Sequence, residues 1–249
     1  MADGTARTKT SATATTKTTK TAGTTLEVRD GIAWITLDDG KVNALSAERI
    51  AEIAAAMDAA DAAGAVAVLR GREGVFSAGF DLKTFARGAA AGVRMVHAGA
   101  ELVLRLLSFP YPVLTVCTGH AYPAGAFLML AADVRIGLAG PWRIGMNEVA
   151  IGLTVPGFAV ELARHRLTPP GFARITTAAM FPPDEALRLG YLDRVVEPGE
   201  LDTAVAQEAE RLRALDMKHF AATKARIHAR AIGAIRAAVE AELVEQSAA

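Results

Sequence analysis

Between Leu106 and Ala132 the chain carries no lysine, arginine, aspartate or glutamate. A run of that length could cross a bilayer. Pro110, Pro112, Gly119, Pro123 and Gly125 cut it into pieces, and a proline inside a helix breaks its hydrogen-bond ladder. The run therefore reads as a buried strand, a turn and a buried helix, and it demands a core large enough to hide all three. A chain of 249 residues can supply one. Inside the run, the stretch PAGAFLML (Pro123–Leu130) poses a local problem. It reads as a helix start with proline in the first turn. It offers no Ser, Thr, Asp or Asn to cap the free N–H groups that every helix start exposes.

Other properties narrow the class. The first 25 residues are Thr, Ala and Lys-rich and contain no Leu, Ile, Val or Phe. Such a segment cannot bury enough surface to offset its ordering entropy, so residues 1–25 are expected as a disordered tail. They also lack the apolar stretch of a secretion signal. Lys plus Arg equal Asp plus Glu at 27 each, which gives no basic footprint for nucleic acid; no nucleic-acid or membrane partner is expected. One cysteine, Cys117, cannot form an internal disulfide, and it points to a reducing, cytoplasmic setting. Its apolar neighbours favour a buried structural thiol. The five histidines do not pair at metal-ligand spacing. No GxGxxG or Walker A pattern occurs. Neither a metal nor a cofactor is expected.

The periodicities alternate between strand and helix. Leu26–Arg29 and Ile32–Leu37 read as a hairpin across Asp30-Gly31. Ser46 caps a helix reaching to about Ala63, with Ile50, Ile53 and Met57 on one face. AVAVLR, PVLTVC, DVRIGL and LDRVV read as buried strands. GREGVFSAGFDL between them reads as a loop. AGAELVLRLLSF is a helix stopped by Pro110. ELARHRL and FARITTAAM read as helical, and PPDEALRLG as a short helix with Pro183 in its first turn and Gly190 at its end. Two more helices follow Glu200, the second over about Lys218 to Val244. No internal repeat is visible. The alternation argues for an α/β fold with parallel pairing.

Two segments share a design. FSAGFDL (Phe76–Leu82) and GHAYPAGAFLML (Gly119–Leu130) each leave a strand, pass through glycine and small residues and enter a helix. Composition alone leaves two readings open. They can be ordinary strand–helix connections, or two main-chain N–H donors aimed at one developing oxyanion.

Several ordered blocks then match one family. GVFSAGFDLK, GHAYPAGAFLMLAADVRIG, IGMNEVAIGL and FPPDEALRLGYLDRVVEP, running in register from about Leu26 to Val196, resemble the crotonase superfamily, the enoyl-CoA hydratase/isomerase family. The resemblance implies a crotonase-like ββα spiral over residues 26–196, followed by a C-terminal helical trimerisation region over 197–249. It implies an acyl-CoA thioester substrate, coenzyme A being part of that substrate, and a homotrimer or dimer of trimers. It implies an oxyanion hole from the N–H groups of Phe80 and Ala124. Ala78, Gly79, Asp81 and Leu82, with Val42 and Ala44 in KVNAL, match stretches that line the CoA or substrate path. Asp81 also reads as a plain helix N-cap.

The carboxylates divide the family's reactions. Hydratases of this family resemble two-carboxylate machines. Here the first carboxylate position holds Phe127 and the second holds Glu148. The combination PAG, LML, IGMNE and FPPDEAL looks especially like the mitochondrial-type Δ3,Δ2-enoyl-CoA isomerases, which share the single-glutamate arrangement. That implies a shift of the double bond from 3-enoyl-CoA to 2-enoyl-CoA, with Glu148 as proton shuttle and Phe127 facing the acyl chain. Enoyl-CoA hydration is the alternative, and an acyl-CoA-binding or interaction module of weak activity is a third. Lys224 is expected on a solvated helix face, or at a CoA phosphate. Trp142 is expected to pack.

Overall fold

The computed structural model describes residues 17–248. The chain opens with strands β1 (Lys17–Lys20), β2 (Thr24–Arg29) and β3 (Ile32–Leu37), then helix α1 (Ala47–Ala62). There follow β4 (Val66–Arg70), β5 (Gly74–Ser77), α2 (Leu82–Phe85) and α3 (Ala89–Ser108). Next come β6 (Val113–Cys117), β7 (Gly119–Ala121), α4 (Pro123–Ala131), β8 (Val134–Leu138) and β9 (Ile144–Gly145). After a 3-10 turn at Glu148–Ile151 the chain forms α5 (Gly157–Arg166), α6 (Pro169–Ala173), β10 (Met180–Phe181), α7 (Pro183–Leu189) and β11 (Arg194–Val196). It ends with α8 (Leu201–Arg213) and α9 (Met217–Ala248).

Two sheets result. The larger has the order β1-β2-β3-β4-β6-β8-β11, the smaller β10-β9-β7-β5. From β3 to β11 the larger sheet is parallel, while β1, β2 and β3 pair antiparallel. Consecutive strands feed alternate sheets. β4, β6 and β8 enter the large sheet, β5, β7 and β9 enter the small one, and a helix closes each round. This is a ββα coil of three turns, although the sequence shows no repeat. What recurs is strand length and burial, which many apolar residues satisfy equally well.

The charge-free run is hidden as its composition requires. Every residue of β6 and α4 is buried. The main core fills the space between the sheets and helices α1, α3, α4 and α5. A second cluster lies on the other face of the large sheet, where Leu201, Val205 and Leu212 of α8 cover Val68, Leu114 and Val116. The Asp30-Gly31 hairpin, the Ser46 cap and the Gly190 helix end all form.

Four expectations are corrected. The stretch GREGVFSAGFDL contains β5, whose Gly74–Ser77 pairs in parallel with β7; three glycines masked a short buried strand. The proposed disordered tail is partly ordered. Lys17–Lys20 pairs antiparallel with β2, and β2 itself starts at Thr24; threonine's branched Cβ favours a pleated edge despite the low hydrophobicity. Residues 1–16 of that tail lie outside the described residues. FARITTAAM is not one helix: it breaks into a 3-10 turn at Arg174–Thr177, Ala178 with φ 53°, and β10. Lys224 is not on a solvated face. It is 4% exposed, and its Nζ lies 2.7 Å from Asp133 Oδ2. Helix α9 packs its buried Ala231, Ile235 and Val239 within this chain, against α5 and α3, while Ile227 on the same helix is exposed. Among the described residues no helix is long and apolar enough to cross a membrane.

Candidate active site

Three parallel strands of the small sheet end beside one another, and each delivers one group to the site. In β5 and β7, Ser77 is the register partner of Ala121; in β7 and β9, Ala121 is the partner of Ile144. Three residues beyond Ser77 stands Phe80. Three beyond Ala121 stands Ala124. Four beyond Ile144 stands Glu148. Ligand sites in open parallel sheets gather at such carboxyl ends.

The first loop is braced from below. The Ser77 hydroxyl donates to the Asn43 carbonyl at 2.7 Å and accepts from the Gly79 amide at 3.1 Å. Buried Asn43 donates its side-chain amide to the carbonyls of Leu37 and Phe76. The Ala78 amide donates to Val42, Leu45 to Gly79, and Asp81 to Leu45. Gly79, at φ 86°, turns the chain so that a Cβ there would stand 3.5 Å from the Ala124 nitrogen. The loop that carries the Phe80 amide thus passes beside the start of α4, and neither the Phe80 nor the Ala124 amide donates to another group among the described residues. Gly125 lets the second loop come this close. A Cβ on it would lie 2.9 Å from Ser77 Cβ. The uncapped start of α4 is real: Tyr122 precedes it with no side-chain cap bond.

Phe80 and Pro123, the residue before Ala124, border a pocket of about 270 Å³. Ala78, Gly79, Phe80, Leu82 and Glu148 line it, together with Tyr122 and Asn147. Glu148 is its one carboxylate among the described residues. It is 5% exposed, and neither carboxylate oxygen has a hydrogen-bond partner. Burial pushes its pKa up to about 7, against a small opposing pull from its own backbone amide. The same charge helps burial hold the Tyr191 phenol well above its ordinary value.

The remaining expected residues lie elsewhere around the first loop. Leu82, which lines the pocket, is exposed, and so is Val42, whose carbonyl accepts the Ala78 amide. Ala44 is half-buried, and neither it nor Val42 lines the pocket. Asp81 is an N-cap: its carboxylate accepts from the Lys83 amide and the Thr84 hydroxyl. Phe127 stands one layer behind the pocket wall. It is 1% exposed and packs edge-on against Phe80 and Phe158, with ring centroids 6.2 and 5.5 Å away. Trp142 packs edge-on against His120. Cys117 is buried, and desolvation raises its thiol to about 12. Among the described residues no cluster of His, Cys, Asp and Glu could hold a metal. Sequence reasoning missed Tyr122, Asn147, Phe85, Val96, Thr154 and Pro156, all of which line the pocket. Asn147, beside Glu148 in the MNE triplet, was the one with a signal to follow.

The model of the family described as enoyl-CoA hydratase/isomerase matches residues 27–248. The chain belongs to the enoyl-CoA hydratase/isomerase family. It is an enzyme of that family, and the crotonase fold extends through its solved relatives. An enoyl-CoA hydratase/isomerase family protein from Pseudomonas syringae is 40% identical and superposes with a TM-score of 0.85, covering 87% of this chain and 95% of its own. A Mycobacterium tuberculosis protein, called an enoyl-CoA isomerase in one solved structure and a probable enoyl-CoA hydratase in another, is 37% identical, with a TM-score of 0.83 over 92% of this chain and 98% of its own in the first. A crotonyl-CoA hydratase from Syntrophomonas wolfei is 31% identical over 194 residues, 75% of this chain and 74% of the relative.

Proposed function

We propose that this enzyme moves the double bond of a 3-enoyl-CoA thioester to the 2,3 position. The observation that carries the reading is the solitary Glu148: one desolvated, unpartnered carboxylate faces the pocket, and the sequence position at which the resemblance puts a second holds Phe127, packed behind the pocket wall. The thioester oxygen accepts hydrogen bonds from the Phe80 and Ala124 amides. Glu148 takes a proton from C2, and the electron pair of that C–H bond moves toward the thioester oxygen as a dienolate. The two amides stabilise that charge, an effect worth about 10²–10³ in rate per donor. The protonated Glu148 then returns the proton to C4, and the double bond comes to rest between C2 and C3. The sum is an isomerisation; no water or cofactor enters. A carboxyl group with a pKa of about 7 suits both halves, because a proton carrier works best when its pKa lies near the operating pH.

Hydration of 2-enoyl-CoA is the second reading, favoured by the crotonyl-CoA hydratase among the relatives. It needs a water activated and a proton delivered to C2, and Glu148 would have to do both. Purified enzyme supplied separately with a 3-enoyl-CoA and a 2-enoyl-CoA, followed at the absorbance of the conjugated thioester, separates the two. Rising absorbance from the first and no loss from the second supports isomerisation. The reverse pattern rejects it. Glu148→Gln is expected to lose at least a hundredfold in kcat with the fold retained; near-normal turnover removes Glu148 from the mechanism. The trimer or dimer of trimers and a cytoplasmic location remain part of this proposal, resting on the family resemblance and on the lone buried thiol.

A further inference from the structure

Helix α3 carries two glycines, Gly92 and Gly99, both buried. Glycine inside a helix gives up stability relative to alanine, so each position needs a reason. At each, an aromatic ring supplies it. A Cβ on Gly99 would stand 2.6 Å from Phe80 Cζ and 2.7 Å from Phe80 Cε1; one on Gly92 would stand 2.7 Å from Phe85 Cδ1. Seven residues make close to two turns, so both notches lie on one face of α3. The ring at Gly99 belongs to the residue whose amide is left free. Phe80 and Leu45 form an isolated parallel bridge: the Leu45 amide donates to the Gly79 carbonyl at 2.8 Å, and the Leu45 carbonyl accepts the Asp81 amide at 3.1 Å. Those bonds hold the chain just before and just after Phe80. Its ring also packs edge-on against Phe127, with centroids 6.2 Å apart, and Phe127 packs against Phe158 at 5.5 Å.

We propose that Gly99 is a positioning residue: by seating the Phe80 ring it fixes where the Phe80 amide points, and so tunes the oxyanion hole from a helix outside the pocket. The inference rests on the acyl-CoA reading above. Gly99 itself does not line the catalytic pocket. A main-chain donor can come from any residue except proline, so the side chain at position 80 is free to vary in principle. In this chain its bulk makes it a lever. The ring is rigid, its far edge meets α3, and Phe127, 1% exposed, stands against it. A methyl group at position 99 would overlap the ring, because carbon atoms pack at ~3.5–4.0 Å. The displaced ring carries its own backbone with it, and the amide turns away from the thioester oxygen.

The test is a double-mutant cycle on the full chain, which isolates what passes between two positions. It has two readouts. One is kcat and KM on a 3-enoyl-CoA. The other is the absorbance of 3-oxobutanoyl-CoA bound as its enolate, which needs the amide donors but no turnover. Gly99→Ala is expected to lower kcat by about ten- to a hundredfold with KM within about threefold, the scale of a 1 Å misplacement, and to weaken the enolate signal. Phe80→Leu keeps the amide but falls short of the notch, and is expected to lower kcat about tenfold. In that background Gly99→Ala is expected to add less than a twofold change. An equal loss in both backgrounds overturns the proposal, since the methyl would then act through α3 alone. Native kcat in Phe80→Leu also overturns it, and that result stands even if Gly99→Ala does not fold. The two readings fail separately. An enolate signal that depends on Gly99 in an enzyme without isomerase turnover defeats the reaction proposed above and leaves the positioning role standing. Isomerase turnover that Gly99→Ala leaves unchanged does the opposite.

Discussion

Glu148 folds at a cost. Its pKa rises from an ordinary 4.5 to about 7 because burial penalises the charged form. The folded chain therefore holds this proton more tightly than the unfolded one. The stabilising contribution is complete below pH 4.5 and is lost as pH rises through 7. Glu148→Gln escapes that loss. Its stability advantage over the native chain is expected to be small at pH 4.5, to grow through pH 7 and to level off above it at up to about 3 kcal/mol, at 1.36 kcal/mol per pKa unit. Urea unfolding at pH 5 and pH 9 measures the difference; an equal gap at both values refutes it. Activity moves the opposite way. The ionised form is the base, so kcat/KM should fall tenfold per unit below an apparent pKa of about 7. A profile flat from pH 5 to 9 would show that Glu148 does not carry the proton. Sequence could nominate Glu148, Phe80 and Ala124 because each sits in a block with a family pattern. It could not place Phe127 behind the pocket wall, since one turn of helix decides whether a side chain faces a cavity or a neighbouring ring, and that depends on Phe158, 31 residues away.

At the scale of elements, two contacts hold the site in register. Gly125 sets how closely α4 approaches the end of β5. In Gly125→Ala the new methyl would lie 2.9 Å from Ser77 Cβ and 3.1 Å from the Ser77 carbonyl oxygen, so the two amide donors must part. Misplacement by about 1 Å can remove a hundredfold in rate. A fall of ten- to a hundredfold in kcat with little change in KM is expected, and an unchanged kcat would mean that the gap closes by other movement. The second contact ties α9 down. Lys224 reaches Asp133 at 2.7 Å, and Asp133 also accepts the Val113 amide at 2.8 Å. Nearby, His165 Nε2 lies 2.8 Å from His228 Nδ1, joining α5 to α9. Burial and the surrounding cations hold His228 down at about 4, so the pair is neutral at pH 7. Asp133→Ala leaves a buried ammonium alone and is expected to destabilise by ~3–5 kcal/mol; Lys224→Met should cost less, because both the charge and its desolvation go together. Thermal melts of the two variants settle the order. None of this was legible beforehand. A lysine on a helix reads as solvated until its partner, 91 residues distant, is known. The same limit hid β5, a four-residue strand that exists only because β7 pairs with it.

The whole molecule is a coil whose last two helices close it on opposite sides, α8 over the large sheet and α9 over α3 and α5. Val149, Ile151 and, on α9 itself, Ile227 are large, apolar and exposed, and such residues would be covered in the proposed trimer. Light scattering at micromolar concentration is expected to give three or six times 26.0 kDa, and a persistent single-chain mass would defeat the trimer. The alternation of strand and helix, readable from periodicity, indicated the α/β class. It could not reveal two sheets, because consecutive short strands carry no mark of which sheet they enter. The coil also bears on how such a site arises. Phe80 and Ala124 hold corresponding offsets from paired residues on adjacent strands, and neighbouring strands lie ~4.8 Å apart whatever their sequence. The separation of the two donors is thus inherited from backbone spacing, not assembled from side chains. A lineage can exchange every side chain around the substrate, and so drift from one acyl-CoA reaction to another, while the anion-holding geometry passes on intact.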